Sequence, residues 1–257
     1  MNRLTSIRPL TFLKRFLRIK KIYLVCIIVS VCIFVAIVSI QRIFTIHKVI
    51  INKDIYTPYT IAGVIAIRGL SNVTSTNLLL LSTEKTEKEL YSNNPTLKSI
   101  SITKDYPDTL TVTASWYEPF AALEVNNGFF ILSDEGRILS KTRGKHTDLP
   151  NIHYYQKLNY GAYQSGDIVS NRDILSALRF LKLSLDLGYK TNIIDINGLS
   201  MIALETKDKK FIFTTEKDAG LQEYQMTTLI RQFKIEGTDF KQLDLRFDKP
   251  VVQMRKY

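Results

Sequence analysis

The sequence predicts an α+β protein that crosses a membrane once near its N-terminus and carries two mixed units after the crossing. Three observations support this prediction. An apolar run without charge comes first, a strand–helix–helix–strand–strand order follows it, and short strands then alternate with two helical patterns. The expected divisions are a cytoplasmic basic tail at 1–21, a transmembrane helix at 22–40, a first external unit at 41–118 and a larger one at 119–257.

The transmembrane helix is predicted from length and composition. Residues 22–40 contain no charge, proline or glycine, and a helix of that length spans roughly 28 Å, close to the ~30 Å hydrocarbon core of a bilayer. A buried core helix of this length usually keeps a polar stripe. The run is also longer than the ~7–15 residues of a signal-peptide core, and no A-x-A pattern follows it, so a retained anchor is expected.

Charge predicts the orientation of this anchor. Seven of the 35 basic residues, and no acidic residue, lie in residues 1–21, which places the tail in the cytoplasm and both units outside. The rest of the chain carries 28 basic and 24 acidic residues, a balance that does not indicate nucleic-acid binding. Both cysteines, Cys26 and Cys32, lie in the apolar run, so no disulfide or thiolate metal site is expected outside.

The first external unit shows a clear order of elements. Pro58 and Gly69 bound its first predicted helix, and Thr83 as N-cap and Pro95 bound the second. A Tyr-Pro-Asp-Thr turn separates the two closing strands. The predicted strands are 44–51, 97–104 and 110–116, and the predicted helices are 59–67 and 83–91.

The second unit alternates between strand and helix patterns. Asn126-Asn127-Gly128 predicts a tight hairpin, and Asn171 and Gly188 bound a helix whose apolar stripe at 174, 178, 181 and 185 is expected to face the core. The segment around Pro150 is expected to be a loop. The predicted strands are 120–125, 129–132, 138–139, 193–196, 201–206, 210–215, 240–247 and 251–254, and the predicted helices are 171–187 and 221–233.

Residues with catalytic chemistry are scarce. Ser82 and Lys85 fit an S-x-x-K pattern, but its companion motifs are missing and the position coincides with a helix cap. Asp134 and Glu135 are neighbours in a turn, and turn chemistry explains them. The histidines lie outside the spacings of metal sites: His47, His146 and His153. A binding protein without catalytic residues, metal or cofactor is therefore expected.

The order of several motifs carries a family resemblance. NLLLL at 77–81 leads into an acidic–basic helix, NNPTLKSISITKDYPDTLTVT and YEPFA, and later come GFFILSDEGRIL at 128–139, Leu149-Pro150 and LDLRFDKPVV at 243–252. Together with the basic tail and anchor, this pattern resembles the FtsQ/DivIB cell-division proteins. The resemblance implies a POTRA domain of β-α-α-β-β order at 41–118 and a larger mixed-sheet β domain with flanking helices at 119–257.

The resemblance also implies a function and a set of partners. FtsQ/DivIB proteins are divisome scaffolds, expected at the septum of the cytoplasmic membrane, that bind FtsB-like and FtsL-like bitopic proteins and thereby regulate septal peptidoglycan synthesis. No small-molecule substrate or nucleic acid is implied. In the family, the FtsB-type partner adds a strand to the edge formed by the C-terminal strands. The partner-binding residues carried over by position are Leu243, Leu245, Arg246, Phe247, Val251, Val252 and Met254.

Several alternatives stay open at this point. Core alternation explains Leu243, Leu245 and Phe247 as well as partner binding does, and Asp244 and Arg246 could simply pair with each other. A Val252→Glu substitution is expected to release the partner from a folded domain. Two other functions also fit the pattern: a POTRA-containing envelope assembly or translocation factor, and an anchored cell-wall enzyme that uses Ser82/Lys85 or Asp134/Glu135.

Overall fold

The computed structural model describes residues 10–53, 67–145 and 148–255 of the chain. The N-terminal helix α1 (Leu10–Ile43) is longer than the predicted span of 22–40 at both ends. Its window Cys26–Ile43 has a mean hydropathy of 2.4 and is 0% buried. By length and composition, α1 can therefore cross a membrane.

The first of the two units after α1 is a small sheet with a helix on one face. It consists of β1 (Lys48–Lys53), α2 (Thr83–Asn93), β2 (Leu97–Asp105) and β3 (Thr109–Trp116). The strand order is β1-β3-β2, with β1 parallel and β2 antiparallel to β3. The two closing strands and α2 confirm the predicted elements. The predicted helix at 59–67 lies, apart from Ile67, outside the described residues.

The N-terminus of α2 corrects one prediction. The N-cap is Ser82, not Thr83, because the Ser82 Oγ accepts the backbone N–H of Lys85 at 3.4 Å. Alternation in β3 supplies the opposite side of a small core, since every second side chain points to the helix-covered face. The buried members of this core are Ile46, Ile67, Val73, Leu78, Leu90, Leu97, Ile102, Leu110, Val112 and Ala114.

The second unit contains a nine-stranded sheet and two helices. Its strands are β4 (Ala121–Val125), β5 (Gly128–Leu132), β6 (Ile138–Thr142), β7 (Asn151–Tyr154), β8 (Thr191–Ile196), β9 (Met201–Thr206), β10 (Lys210–Thr214), β11 (Phe240–Asp244) and β12 (Val251–Met254). The helices are α3 (Arg172–Asp186) and α4 (Ala219–Glu236). The strand order is β12-β11-β10-β9-β8-β7-β4-β5-β6, so the C-terminal strand lies at one end of the sheet.

Three details of this unit differ from the prediction. The segment after Pro150 is not only a loop, because β7 pairs in parallel with both β4 and β8 and joins the two halves of the sheet. β11 ends at Asp244, three residues before the predicted end at 247. Leu185 is exposed, although it continues the helical stripe whose other members face the core.

The core of the second unit forms between the sheet and the helices α3 and α4. Asn171 caps α3 by accepting the N–H groups of Asp173 and Ile174. The Phe180 ring stacks on Phe213 of β10, with the ring centroids 4.0 Å apart and the planes at 8°. This packing holds the central strands in place. The two terminal strands of the sheet, β6 and β12, are its edges.

Candidate partner-binding site

The two terminal strands of the large sheet differ in what lies beside them. At β6, the N–H of Ile138 donates to the C=O of Asp167 at 2.8 Å, and the N–H of Gly166 donates to the C=O of Ile138 at 2.7 Å. A bridge between Arg137 and Ile168 extends this contact. In the described part of the chain, β12 pairs with β11 alone. Among the described residues, these contacts cover the start of β6, at Ile138, and none is found along β12, which is therefore an uncovered edge of this sheet.

The direction of the β12 peptide groups follows from one hydrogen bond. The N–H of Arg255 donates to the C=O of Asp239 at 3.2 Å, which points this residue toward the neighbouring strand. The only register irregularity of the β11–β12 pair is an extra residue in β11, so the alternation along β12 is intact. Val252 and Met254 therefore direct their N–H and C=O groups away from the sheet, where a further strand can pair with them.

Two of the expected site residues belong to the core. Leu243 and Leu245 are fully buried among the side chains under the sheet. β11, which carries Leu243, is also paired on both sides, with β10 and with β12. A partner can reach neither side chain, so the structure corrects this part of the prediction in favour of core alternation.

The remaining apolar candidates lie in β12 or in the connection that precedes it. Phe247, Val251 and Met254 are exposed. Val252 is half-buried and packs against the main core, so a glutamate there would place a charge against apolar side chains. Val252→Glu is therefore expected to lower the stability of the domain as well as partner binding, so it does not test binding alone. This corrects the expectation that the substitution leaves the domain folded.

Arg246 is engaged within the chain. Its Nε donates to Asp244 Oδ1 at 3.0 Å, and its Nη2 donates to Oδ2 at 2.7 Å. These hydrogen bonds raise the pKa of the Arg246 guanidinium, while Asp244 itself is buried. The guanidinium also lies 5.4 Å from the centroid of the Phe247 ring. The Arg246 guanidinium thus bonds to Asp244 and contacts the ring of Phe247, which stays exposed.

Two side chains that the sequence did not single out hold the connection between β11 and β12. Lys217 Nζ donates to the C=O of Phe247 at 2.7 Å and to that of Leu245 at 3.3 Å. Gln225 Nε2 donates to the C=O of Asp248 at 2.9 Å. Gln225 lies in α4 and Lys217 lies just before its N-cap, Asp218. Both are more than twenty positions before the carbonyl groups that they bind, so no local sequence signal links them to this loop.

The other chemical candidates have structural roles. Ser82 is the α2 cap, as described above. Asp134 accepts from Lys182 Nζ at 3.0 Å, and His153 Nδ1 lies 2.6 Å from Glu124 Oε2. His146 lies outside the described residues. Within the described ranges, no group of three or more His, Cys, Asp or Glu side chains is placed to hold a metal ion.

Comparisons with known proteins agree with this architecture. The model of the FtsQ-type POTRA domain matches residues 44–114, the segment that contains β1, α2, β2 and most of β3. A solved structure covers 40% of this chain and 83% of its own chain, at 15% identity and a TM-score of 0.26. That structure is the major extracytoplasmic domain of the trans isomer of the cell division protein DivIB from Geobacillus stearothermophilus.

A likeness at this TM-score adds nothing to the argument, and no curated protein sequence matches the chain. The domain match stands on a different basis, because it covers the first run of family motifs, from NLLLL at 77–81 to TLTVT at 109–113. It confirms the resemblance to the FtsQ/DivIB cell-division proteins: the chain belongs to the proteins that carry an FtsQ-type POTRA domain.

Proposed function

We propose that this chain is a non-enzymatic scaffold of the division machinery that binds bitopic partners outside the cytoplasmic membrane. The FtsQ-type POTRA domain supports a role in cell division, and the apolar helix α1 supports a single membrane crossing. The observation that carries the binding role is the uncovered strand β12 at the end of the nine-stranded sheet. An FtsB-like partner adds a strand there, FtsL joins through it, and the assembly regulates septal peptidoglycan synthesis.

The edge has the two properties that strand addition needs. The outward peptide groups of Val252 and Met254 supply main-chain hydrogen bonds, which give affinity for any extended segment. Val251 and Met254 lie on opposite faces of β12, and Phe247 lies in the connection before it. These exposed apolar side chains supply the contacts that give specificity. The basic tail at 1–21 supports an N-terminus in the cytoplasm and, with one crossing, an edge on the outer side.

A pair of substitutions at Met254 tests strand addition. Met254→Pro removes an N–H that points away from the sheet and that β11 does not use, so the domain is expected to stay folded. Met254→Ala removes the same exposed side chain but keeps the N–H. Co-purification of the full-length variants with the FtsB-like protein of the same cell should give loss of binding for the proline variant and much weaker loss for the alanine variant.

Wild-type binding by Met254→Pro, with an unchanged melting temperature, would rule out main-chain pairing at β12. Equal and complete loss in both variants would assign the affinity to the Met254 side chain instead. The first result would send the search for the partner to another surface, whereas the second would keep it at β12 with side-chain contacts in place of main-chain pairing.

Localisation tests the division role separately from the binding site. A functional fluorescent fusion is expected to form a band at midcell before constriction begins. An even signal around the envelope throughout the cell cycle would contradict the divisome assignment and favour the envelope assembly factor.

A further inference from the structure

Two exposed leucines lie side by side in the turn before α2. Leu79 is 46% exposed and Leu80 is 82% exposed. Their neighbours Leu78 and Leu81 face inward: Leu78 is fully buried in the small core, and Leu81 packs against that core. Packing within the domain accounts for the inner pair of this NLLLL segment and leaves the outer pair free to meet something else.

The backbone sends this turn toward the membrane. The N–H of Leu78 donates to the C=O of Phe44 at 2.7 Å, and Thr45 and Asn77 form an antiparallel bridge. The chain leaves the end of α1 through residues 44 and 45. An antiparallel neighbour therefore runs back toward that end, and residues 79–80 continue in the same direction before the chain reverses.

The distance from the bilayer is short. Phe44 directly follows Ile43, the last residue of the apolar window of α1. Two residues beyond Leu78 add at most ~7 Å of chain. The polar interface of a bilayer is roughly 5–7 Å thick on each side of the hydrocarbon core, and interfacial side chains reach about 5–10 Å into the boundary. The outer leucines are therefore within reach of this layer.

The turn can enter an apolar environment without unpaired amide donors. Asn77 Oδ1 accepts the N–H of Leu79 at 2.9 Å. The C=O of Asn77 accepts the N–H of Leu80 at 3.2 Å and the N–H of Leu81 at 3.0 Å. Because an unpaired N–H is costly in lipid, this local arrangement lowers the free energy of insertion.

A second turn lies at the same end of the small sheet. β1 and β3 are parallel, so the turn that precedes β3 is beside the exit of α1. Tyr106 in this turn is exposed, and its ring centroid lies 6.0 Å from that of Phe44 in an edge-to-face contact. Tyrosine is enriched where apolar and aqueous surroundings meet at a membrane.

We propose that Leu79, Leu80 and Tyr106 form a membrane-contact surface that seats the small domain on the lipid interface beside α1. The charged residues that flank these segments in the sequence are Arg42, Lys48 and Lys104 with Asp105 and Asp108, so the positive excess is a single charge. Apolar insertion, rather than attraction to anionic lipid, is therefore the source of the contact. A bilayer of zwitterionic lipid alone should be sufficient.

Tryptophan quenching tests this surface in the full-length chain. Leu80→Trp places a reporter in the turn, and Leu199→Trp is a matched control because Leu199 is 85% exposed in the turn between β8 and β9. Trp116, the single native tryptophan, is the last residue of β3, about 23 Å along the strand from the turn that contains Tyr106. Its fluorescence is therefore the same background signal in both variants. The proteins are reconstituted into phosphatidylcholine vesicles with or without brominated acyl chains.

The expected result is a blue-shifted emission from Leu80→Trp and its loss in brominated vesicles, with no added quenching for Leu199→Trp. Tyr106→Trp, a reporter in the other turn, should behave like Leu80→Trp and guards against misfolding of a single variant. Absence of quenching at both 80 and 106 would overturn the proposal and assign these side chains to a protein partner. Equal quenching at 199 would also overturn it, because contact with lipid would not be specific to this surface.

Discussion

The buried side-chain amide of Gln222 pairs with the main chain of Thr214. It accepts the Thr214 N–H at 3.0 Å and donates to the Thr214 C=O at 2.9 Å. Thr214 is the last residue of β10 and Gln222 lies in the first turns of α4. The amide therefore continues the hydrogen bonding of the sheet past the end of the strand and fixes α4, which in turn holds the β11–β12 connection.

Replacement of this amide by an apolar side chain is predicted to destabilise the large domain. Gln222→Leu leaves a buried N–H and a buried C=O without their partner, and each loss costs about 1–3 kcal/mol. The predicted decrease in the free energy of unfolding is therefore about 2–6 kcal/mol, measured by urea denaturation. Gln232→Leu, at an exposed site of the same helix, is the control and should change stability by less than about 0.5 kcal/mol.

Glu124 is predicted to make stability depend on pH in the acid range. Its hydrogen bond from Lys157 lowers the pKa of the carboxyl below its usual value of 4.5. Because the pKa is lowered in the folded state, the ionised carboxylate stabilises the fold above the usual pKa of 4.5. This stabilisation is lost as the pH falls through the folded-state pKa. Glu124→Gln should therefore be less stable than the wild type at pH 7, by up to about 1 kcal/mol, and equal to it in strong acid. A difference that stays constant down to low pH would contradict this assignment.

Gly166 is predicted to control the contact between the two external domains. A Cβ at Gly166 would lie 2.4 Å from Cβ and 2.5 Å from Cγ of Pro95, and φ is +101°. Gly166→Ala should therefore lower the melting temperature and increase hydrogen exchange around residue 95. Gly188→Ala is the matched control, since φ is +88° with no atom within 4 Å of the added Cβ, and it should show backbone strain alone.

Phe247 and Leu243 are predicted to separate partner binding from folding. Phe247→Ser changes an exposed side chain and should weaken binding of the FtsB-like partner with little change in stability. Leu243→Ala creates a cavity in the core and should cost about 2–5 kcal/mol of stability. The paired measurement is chemical denaturation and partner affinity for both variants. Normal affinity of Phe247→Ser would remove this residue from the proposed site.

Most elements were predictable because their signals are local. Capping residues, hairpin glycines and alternation gave α2, α3 and most strands close to their observed bounds. β1, however, begins at Lys48 rather than at residue 44, and β6 extends to Thr142 rather than ending at 139. β7 was missed because Asn151–Tyr154 is only four residues long and obtains its stability from parallel neighbours far away in sequence. The Ser82 cap was missed because Ser82 and Thr83 are adjacent and both residue types cap helices. Only the backbone conformation, extended at Ser82 and helical from Thr83, distinguishes them.

The candidate site was predictable only in outline. The family motif located it at the C-terminal strands, but alternation in sequence does not reveal which face of a strand is covered. Leu243 and Leu245 face the core, whereas Val251 and Met254 are exposed. The support that Lys217 and Gln225 give to the loop depends on the packing of α4. Contacts of this kind arise from tertiary structure, and a single sequence carries no mark of them.

The difference between the two ends of the large sheet limits how the chain can assemble. An incoming strand at β6 would meet the segment around Gly166. The N–H of Gly166 and the C=O of Asp167 already bond to the C=O and N–H of Ile138. A strand can therefore be added at β12 without displacing any part of the described chain. Each copy then takes one guest strand, so binding should saturate at one equivalent. Two copies that met through β12 would close as a symmetric pair, and growth into a longer fibre would stop there.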